Sequence, residues 1–289
     1  MDPGAAQPSS PPGADQVPHH LSVEYFSWEY RVRLVTAGFG VYTAVFLLSH
    51  VLSMALSHTY NSLLAKEKVF WNLAVTRGMF GLQSVVAGLR TLTEDSMVFR
   101  DRVQGQEDWS WFHLLTATGF FIFENVALHT SSLVFWSFDI SLAVHHFFAL
   151  AGYLAALVWD STGHFLPMVT LLMEMSTPFT CISWLLLKAG YARTLFWKAN
   201  QWVMIHMFHC RMVLSYYMWY FSATHWSDLN THVSLPQRLI FFPGLVLLTF
   251  VLNPIWTHKK TMQLLNPVDW NFGNKTVPLN GPKGKPHSN

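Results

Sequence analysis

Seven stretches of this chain are apolar for long enough to be read as membrane-crossing helices, since a hydrocarbon core takes about 20 residues of helix. They are 34–56, 69–92, 109–128, 137–159, 164–187, 200–221 and 239–256. The polar text between them is short. Residues 93–108 alternate in sign (Glu94, Asp95, Arg100, Asp101, Arg102, Glu107, Asp108), which predicts a solvated loop, and Trp109 and Trp111 then mark an interfacial entry to the third span. The first twenty residues are rich in Pro, Ser, Gly and Ala without a signal-peptide apolar run, and everything after His258 is polar with scattered Pro and Gly. The expected division is a disordered tail over 1–33, a first transmembrane helix and loop over 34–60, a helical membrane domain over 61–263 and a cytosolic tail over 264–289.

Composition agrees with this pattern: 51% of residues are hydrophobic, 16% aromatic and only 12% charged, about half the charged share of an average soluble protein. A net charge of +2 with no clustered basic face excludes a nucleic-acid footprint. Cys181 and Cys210 both fall inside apolar runs and read as small packing residues rather than a disulfide. With seven spans and a lumenal amino terminus, all nine lysines fall on the cytosolic side, which favours that orientation; Arg31 and Arg33, just before the first span, weigh against it. The sequon Asn274-Lys275-Thr276 then lies in the cytosolic tail, so glycosidase sensitivity at that site would overturn the orientation.

Polar groups within the spans change the picture from anchor to chamber. His145 and His146 are adjacent in the fourth span, and neighbours on a helix point about 100° apart, so both can border one cavity with only one in the reacting position. The second span carries Arg77 in a stripe with Gly81, Ser84 and Gly88 that permits close approach of another helix. The third puts His113, Thr116, Phe120 and Glu124 on one face, with Asn125 beside it. In the fifth, Pro178 follows Glu174 by four positions, which predicts a bend and a free Glu174 carbonyl at mid-membrane. The sixth carries His206, His209 and Arg211, the arginine roughly opposite the histidines. His206 and His209 with Cys210 have metal-ligand spacing, but no fourth ligand can be assigned, so hydrogen bonding between packed helices is favoured and no metal is expected. The expected fold is all-α and integral to the membrane, with about seven transmembrane helices, five or six of them around a polar chamber. Such a chamber, holding His, Glu, Ser and Thr without an acidic ladder or a row of cations, suits acid/base or acyl chemistry better than an ion pathway.

Residues 61–263, with the His145-His146 pair, resemble the TLC-domain proteins, the group that contains the Lag-type ceramide synthases. Further runs, among them Leu172–Thr180, Asn200–Trp202, His206–Met212 and Trp256–Lys260, are similar to one branch of that family. The resemblance implies a membrane acyltransferase of the endoplasmic reticulum, with acyl-CoA as co-substrate, no bound cofactor, a membrane lipid or its head-group precursor as acceptor, and a part in lysosomal lipid homeostasis. His145, His146 and Glu174 would be catalytic, and Arg77, Glu124, Ser176, His206, His209 and Arg211 would bind substrate. Where the ceramide synthases carry a His-Asp, Ser, Asp motif, this chain reads Met173-Glu174-Met175-Ser176-Thr177-Pro178, which puts the sphingoid acceptor in doubt. It equally implies a non-catalytic cargo receptor cycling between endoplasmic reticulum and Golgi. That receptor would use the loops 93–108 and 222–238 for lysosomal enzymes, and Lys285 and His287 as a retrieval signal read by vesicle coat proteins. A weaker implication is ceramide or lipid binding without turnover.

Overall fold

The computed structural model describes residues 23–159, 162–269 and 271–272, and these contain helices but no strand. A 3-10 turn, Val23–Phe26, leads into α1 (Trp28–Leu56), followed by α2 (His58–Ser62), α3 (Ala65–Thr93), α4 (Met97–Arg100), α5 (Asp108–Phe135) and α6 (Ile140–Val158). The second half holds α7 (Phe165–Leu172), α8 (Thr177–Lys188), α9 (Leu195–Thr224), α10 (Trp226–His232), α11 (Leu235–Leu247) and α12 (Asn253–Leu265). All seven expected stretches are helical. Five rods are long and apolar enough to cross a membrane: α1, α5, α6, α7 joined to α8, and α11 joined to α12. The remaining two, α3 and α9, have 29 and 30 residues and carry more polar side chains.

Local chemistry sets the helix ends. Asp139 Oδ1 accepts from the Leu142 N–H at 3.1 Å to start α6, and Thr194 Oγ1 accepts from the Trp197 N–H at 3.2 Å to start α9. Ser234 and Gln237 cap each other at the start of α11. The fifth predicted span breaks where Pro178 requires: a 3-10 turn, Met173–Ser176, separates α7 from α8. The Glu174 carbonyl is not free, however, because the 3-10 geometry lets the Thr177 N–H reach it. A π-helical segment, Leu248–Leu252, interrupts the last rod just before Pro254, whose ring cannot donate to the preceding turn.

Six rods close a ring in the order α3, α5, α6, α11–α12, α9 and α7–α8, and α1 packs outside against α5 and α3. Two close approaches depend on missing side chains. A Cβ on Gly88 would stand 2.4 Å from the Leu172 Cβ, and one on Gly119 would stand 2.3 Å from the Val35 carbonyl oxygen. The stripe of small residues on α3 therefore lies against α7 and α8.

Three boundaries differ from expectation. Helix α1 starts at Trp28, inside the tail expected over 1–33, because Arg31 is buried: its Nε donates to the Tyr25 carbonyl at 2.6 Å, its Nη1 to the Leu157 carbonyl at 3.1 Å, and its guanidinium lies 4.4 Å from the Trp111 ring. The loop 93–108 is anchored as well as solvated, since Val98 and Val103 are buried with Phe165, Met218 and Phe221. The tail expected from 264 is docked as far as Phe272: Asp269 accepts from Trp184 Nε1 at 3.2 Å and pairs with Lys188 at 2.6 Å, and Lys188 also bonds Glu67 at 2.6 Å. Phe272 packed on Phe70 and Trp184 and the Asp269–Lys188 ion pair hold that segment together.

Candidate active site

Helix α6 separates its two histidines. His145 lines a cavity of about 190 Å³ between α6, α7, α9 and α11, with Glu174 and Arg211 beside it. Its Nε2 stands 4.0 Å from Glu174 Oε1, a gap that a single bridging oxygen or a small rotamer change closes. The other Glu174 oxygen accepts from the Thr177 hydroxyl, which fixes the carboxylate. Trp256 meets the His145 ring edge-on at 5.2 Å. The Arg211 guanidinium lies 5.5 Å from that same indole, and its Nη1 donates to Ser176 Oγ at 3.0 Å. Away from this polar end the wall is apolar, formed by residues such as Phe148, Ala149, Gly152, Leu245 and Leu248, until Thr162, Gln237 and Arg238 close the far end.

His146 faces a different carboxylate. Its Nε2 is 3.7 Å from Glu124 Oε1, and Glu124, fully buried, accepts from Arg77 Nε at 2.8 Å and from Arg77 Nη2. The His146 carbonyl accepts from Asn125 Nδ2 at 3.2 Å, so side chain and backbone of this residue are both held by α5. His146 does not line the cavity. The expectation that both histidines border one cavity is thus corrected: the turn of the helix gives His145 to Glu174 and His146 to Glu124.

His206 and His209, expected in the chamber, lie on the exposed face of α9, where each Nδ1 meets the carbonyl four residues back, Trp202 at 2.7 Å and Ile205 at 2.8 Å. Arg211 points the opposite way and is buried, so the histidines cannot share its side of the helix. Among the described residues no group of three or more His, Cys, Asp or Glu could hold a metal. Lys285 and His287 lie outside the described residues. Sequence reasoning overlooked Trp256 and Tyr153, whose hydroxyl donates to the Pro167 carbonyl at 2.9 Å inside the cavity wall. An indole one turn from a membrane edge carries no signal that it will lie over a histidine from another helix.

Residues 71–260 match the family model of the TLC domain. Protein CLN8 of Homo sapiens is 57% identical over 252 residues, 87% of this chain and 88% of that protein, and Protein CLN8 of Mus musculus is 58% identical over the same shares. Protein CLN8 of Canis lupus familiaris is 56% identical over 264 residues, 91% of this chain and 92% of that protein. The chain belongs to the TLC-domain family. No solved structure gives a significant match. His145, His146, Arg77, Arg211, Glu124, Glu174, Ser176 and Trp256 lie inside the matched TLC domain, whereas α1 with the buried Arg31 lies before it. This is a multi-pass TLC-domain membrane protein in which the whole polar chamber is built by the domain itself.

Proposed function

We propose that this chain is an endoplasmic-reticulum acyltransferase that moves a fatty acyl group from acyl-CoA to a hydroxyl or amine of a membrane lipid or its head-group precursor, in support of lysosomal lipid homeostasis. The observation that carries the reading is His145 at the polar end of an otherwise apolar cavity, 4.0 Å from Glu174. An apolar sleeve suits an alkyl chain, and the imidazole stands where the acyl carbonyl would end. His145 takes the proton of the attacking hydroxyl, the new C–O bond forms, the C–S bond breaks, and the imidazolium returns the proton to the departing thiolate. Glu174 steadies the imidazolium, as a carboxylate does for a catalytic histidine. His146, Glu124 and Arg77 hold this turn of α6 in place. Coenzyme A is a cytosolic donor, and in the expected orientation His145 lies near the cytosolic end of α6.

The test is acyl transfer from oleoyl-CoA to endoplasmic-reticulum lipids by the full chain in membranes of cells lacking the endogenous protein. His145→Ala lowers the rate by about a hundredfold or more, the usual worth of a general base. Unchanged turnover in that variant would remove the catalytic reading.

A second reading, a cargo receptor for lysosomal enzymes that recycles between endoplasmic reticulum and Golgi, is favoured by a polar cleft of about 700 Å³ formed by the 93–108 loop and α10. Asp95, Arg100, Asp101, His225, Asp228 and His232 line it. Deleting 285–289 then leaks the protein to later compartments and lowers hydrolase export while acyl transfer stays normal; retained localisation and export argue against it.

A further inference from the structure

Four helical glycines, Gly38, Gly81, Gly88 and Gly119, are pressed by a neighbouring helix, so that a Cβ on any of them would stand under 3.0 Å from another residue. Gly152 of α6 is different. A Cβ added there meets nothing within 4 Å, and its φ is not positive, so neither packing nor backbone geometry asks for a glycine in the middle of this helix, where glycine is disfavoured relative to alanine. The space it leaves is cavity. Gly152 lines the same sleeve as His145, between Ala149 and Ala156 on α6, and Leu245 and Leu248 line that sleeve from the last rod. The far end is shut by Gln237, whose hydrogen bonds are spent on the protein: Nε2 donates to the Trp159 carbonyl at 3.1 Å and to the Ala155 carbonyl at 3.4 Å, and Oε1 accepts from Thr162 Oγ1 at 2.7 Å. This bridge ties α11 to α6 and gives the apolar sleeve a polar floor, against which a longer alkyl chain buries no further apolar surface.

We infer that Gly152 is a specificity-determining residue for the acyl donor: its missing side chain keeps the sleeve open to the Gln237 floor, so that long-chain acyl groups fit and very-long-chain ones do not. The inference rests on the acyl-transfer reading above for the place of the acyl carbonyl, at His145; the sleeve itself holds a chain without turnover. At the helical rise, Gly152 lies about 10 Å beyond His145 along α6, and the two carbonyls that Gln237 bonds lie about 15 and 21 Å beyond it. An extended chain advances about 1.2 Å per bond, so an acyl group with its carbonyl at His145 passes Gly152 at about the ninth carbon and meets the floor at about the fourteenth to eighteenth. A bulky side chain at 152 would project into the sleeve at that ninth carbon and leave room only for medium-length chains.

The full chain, purified in detergent, is titrated with coenzyme A, octanoyl-CoA, palmitoyl-CoA and lignoceroyl-CoA; affinity is read from thermal stabilisation, and turnover with the three thioesters is measured beside it. The wild type binds palmitoyl-CoA about tenfold or more tightly than octanoyl-CoA, because the added methylenes are buried in the sleeve, and gains nothing from the longer lignoceroyl chain. Gly152→Phe lowers the palmitoyl-to-octanoyl ratio about tenfold and keeps octanoyl-CoA bound, and Gly152→Leu, the variant to read should the phenylalanine prevent folding, lowers it by less. Leu154→Phe, on the exposed side of α6 and not among the cavity residues, keeps the wild-type order. An unchanged palmitoyl-to-octanoyl ratio in the folded Gly152 variants overturns the inference, as does loss of all three thioesters alike. In the wild type, lignoceroyl-CoA bound more tightly than palmitoyl-CoA removes the floor, and coenzyme A stabilising as well as palmitoyl-CoA removes the sleeve; either overturns it. His145→Ala keeps the chain-length order while turnover is lost, so absent turnover in the wild type counts against the catalytic reading and an absent order counts against this one.

Discussion

Arg77 and Glu124 form a buried ion pair, with side chains 13% and 0% exposed, and such a pair is hard to break by halves. Removing one partner leaves a desolvated charge, at a cost of about 3–5 kcal/mol, whereas replacing both by apolar groups of similar volume is often nearly neutral. Glu124→Ala is therefore expected to lower the unfolding temperature in detergent sharply, and the double variant Arg77→Met, Glu124→Leu to recover most of the loss. At this scale the sequence singled out the ionisable residues of the spans, because any such group inside an apolar run needs a partner. It could not pair them. Helical spacing does not choose a carboxylate for Arg77, and the choice between His145 and His146 depends on the rotational phase of α6, which neighbouring helices set through contacts such as Asn125 to the His146 carbonyl. His206 and His209 show the converse: their spacing was metal-like, yet the side of α9 they occupy is the outer one.

At the level of elements, α3 and the α7–α8 rod depend on each other. A Cβ on Gly81 would stand 2.7 Å from Pro178 Cδ, and one on Gly88 would meet the Leu172 backbone at 2.9 Å. Gly88→Val is expected to destabilise by about 1–3 kcal/mol, the usual cost of overpacking, visible as a lower melting temperature. The stripe was legible as small residues at helical spacing, and Pro178 as a break; both are properties of one helix. That the break should face the stripe, so that Gly81 admits the proline ring, is a relation between two helices.

For the whole molecule, the docked segment after α12 ties the lysine-rich ends of the bundle together. Lys188 is bonded to Glu67 from α3 and to Asp269 from that segment, with Phe272 packed on Phe70 and Trp184. Burial alone raises the Glu67 carboxyl, but the Lys188 hydrogen bond, the Leu64 N–H and the Lys188 charge carry it net below its ordinary 4.5. A carboxylate whose folded value is depressed contributes stability above the unfolded value and loses it as pH falls through the folded one. Thermal unfolding followed from pH 7 to below pH 4 is expected to show that loss setting in under about pH 5, and Glu67→Gln to be less stable at pH 7 with a flatter pH dependence. Truncation after Leu265 removes Asp269 and should expose the α3 and α8 ends to protease while leaving the His145 cluster assembled.

The chain's own text determined the class, the helical stretches and which ionisable residues lie within them, because composition, apolar run length and helical spacing are properties of single segments in a known solvent. Tertiary structure alone decided that Arg31 is an internal staple, that Asp269 docks, that Trp256 meets His145, and that Arg77 is paired with a carboxylate while Arg211 is bonded to Ser176. Each of those is a meeting of side chains distant in sequence, set by the rotation and offset of one packed helix against another, and a helix carries no record of that rotation until its neighbours are in place.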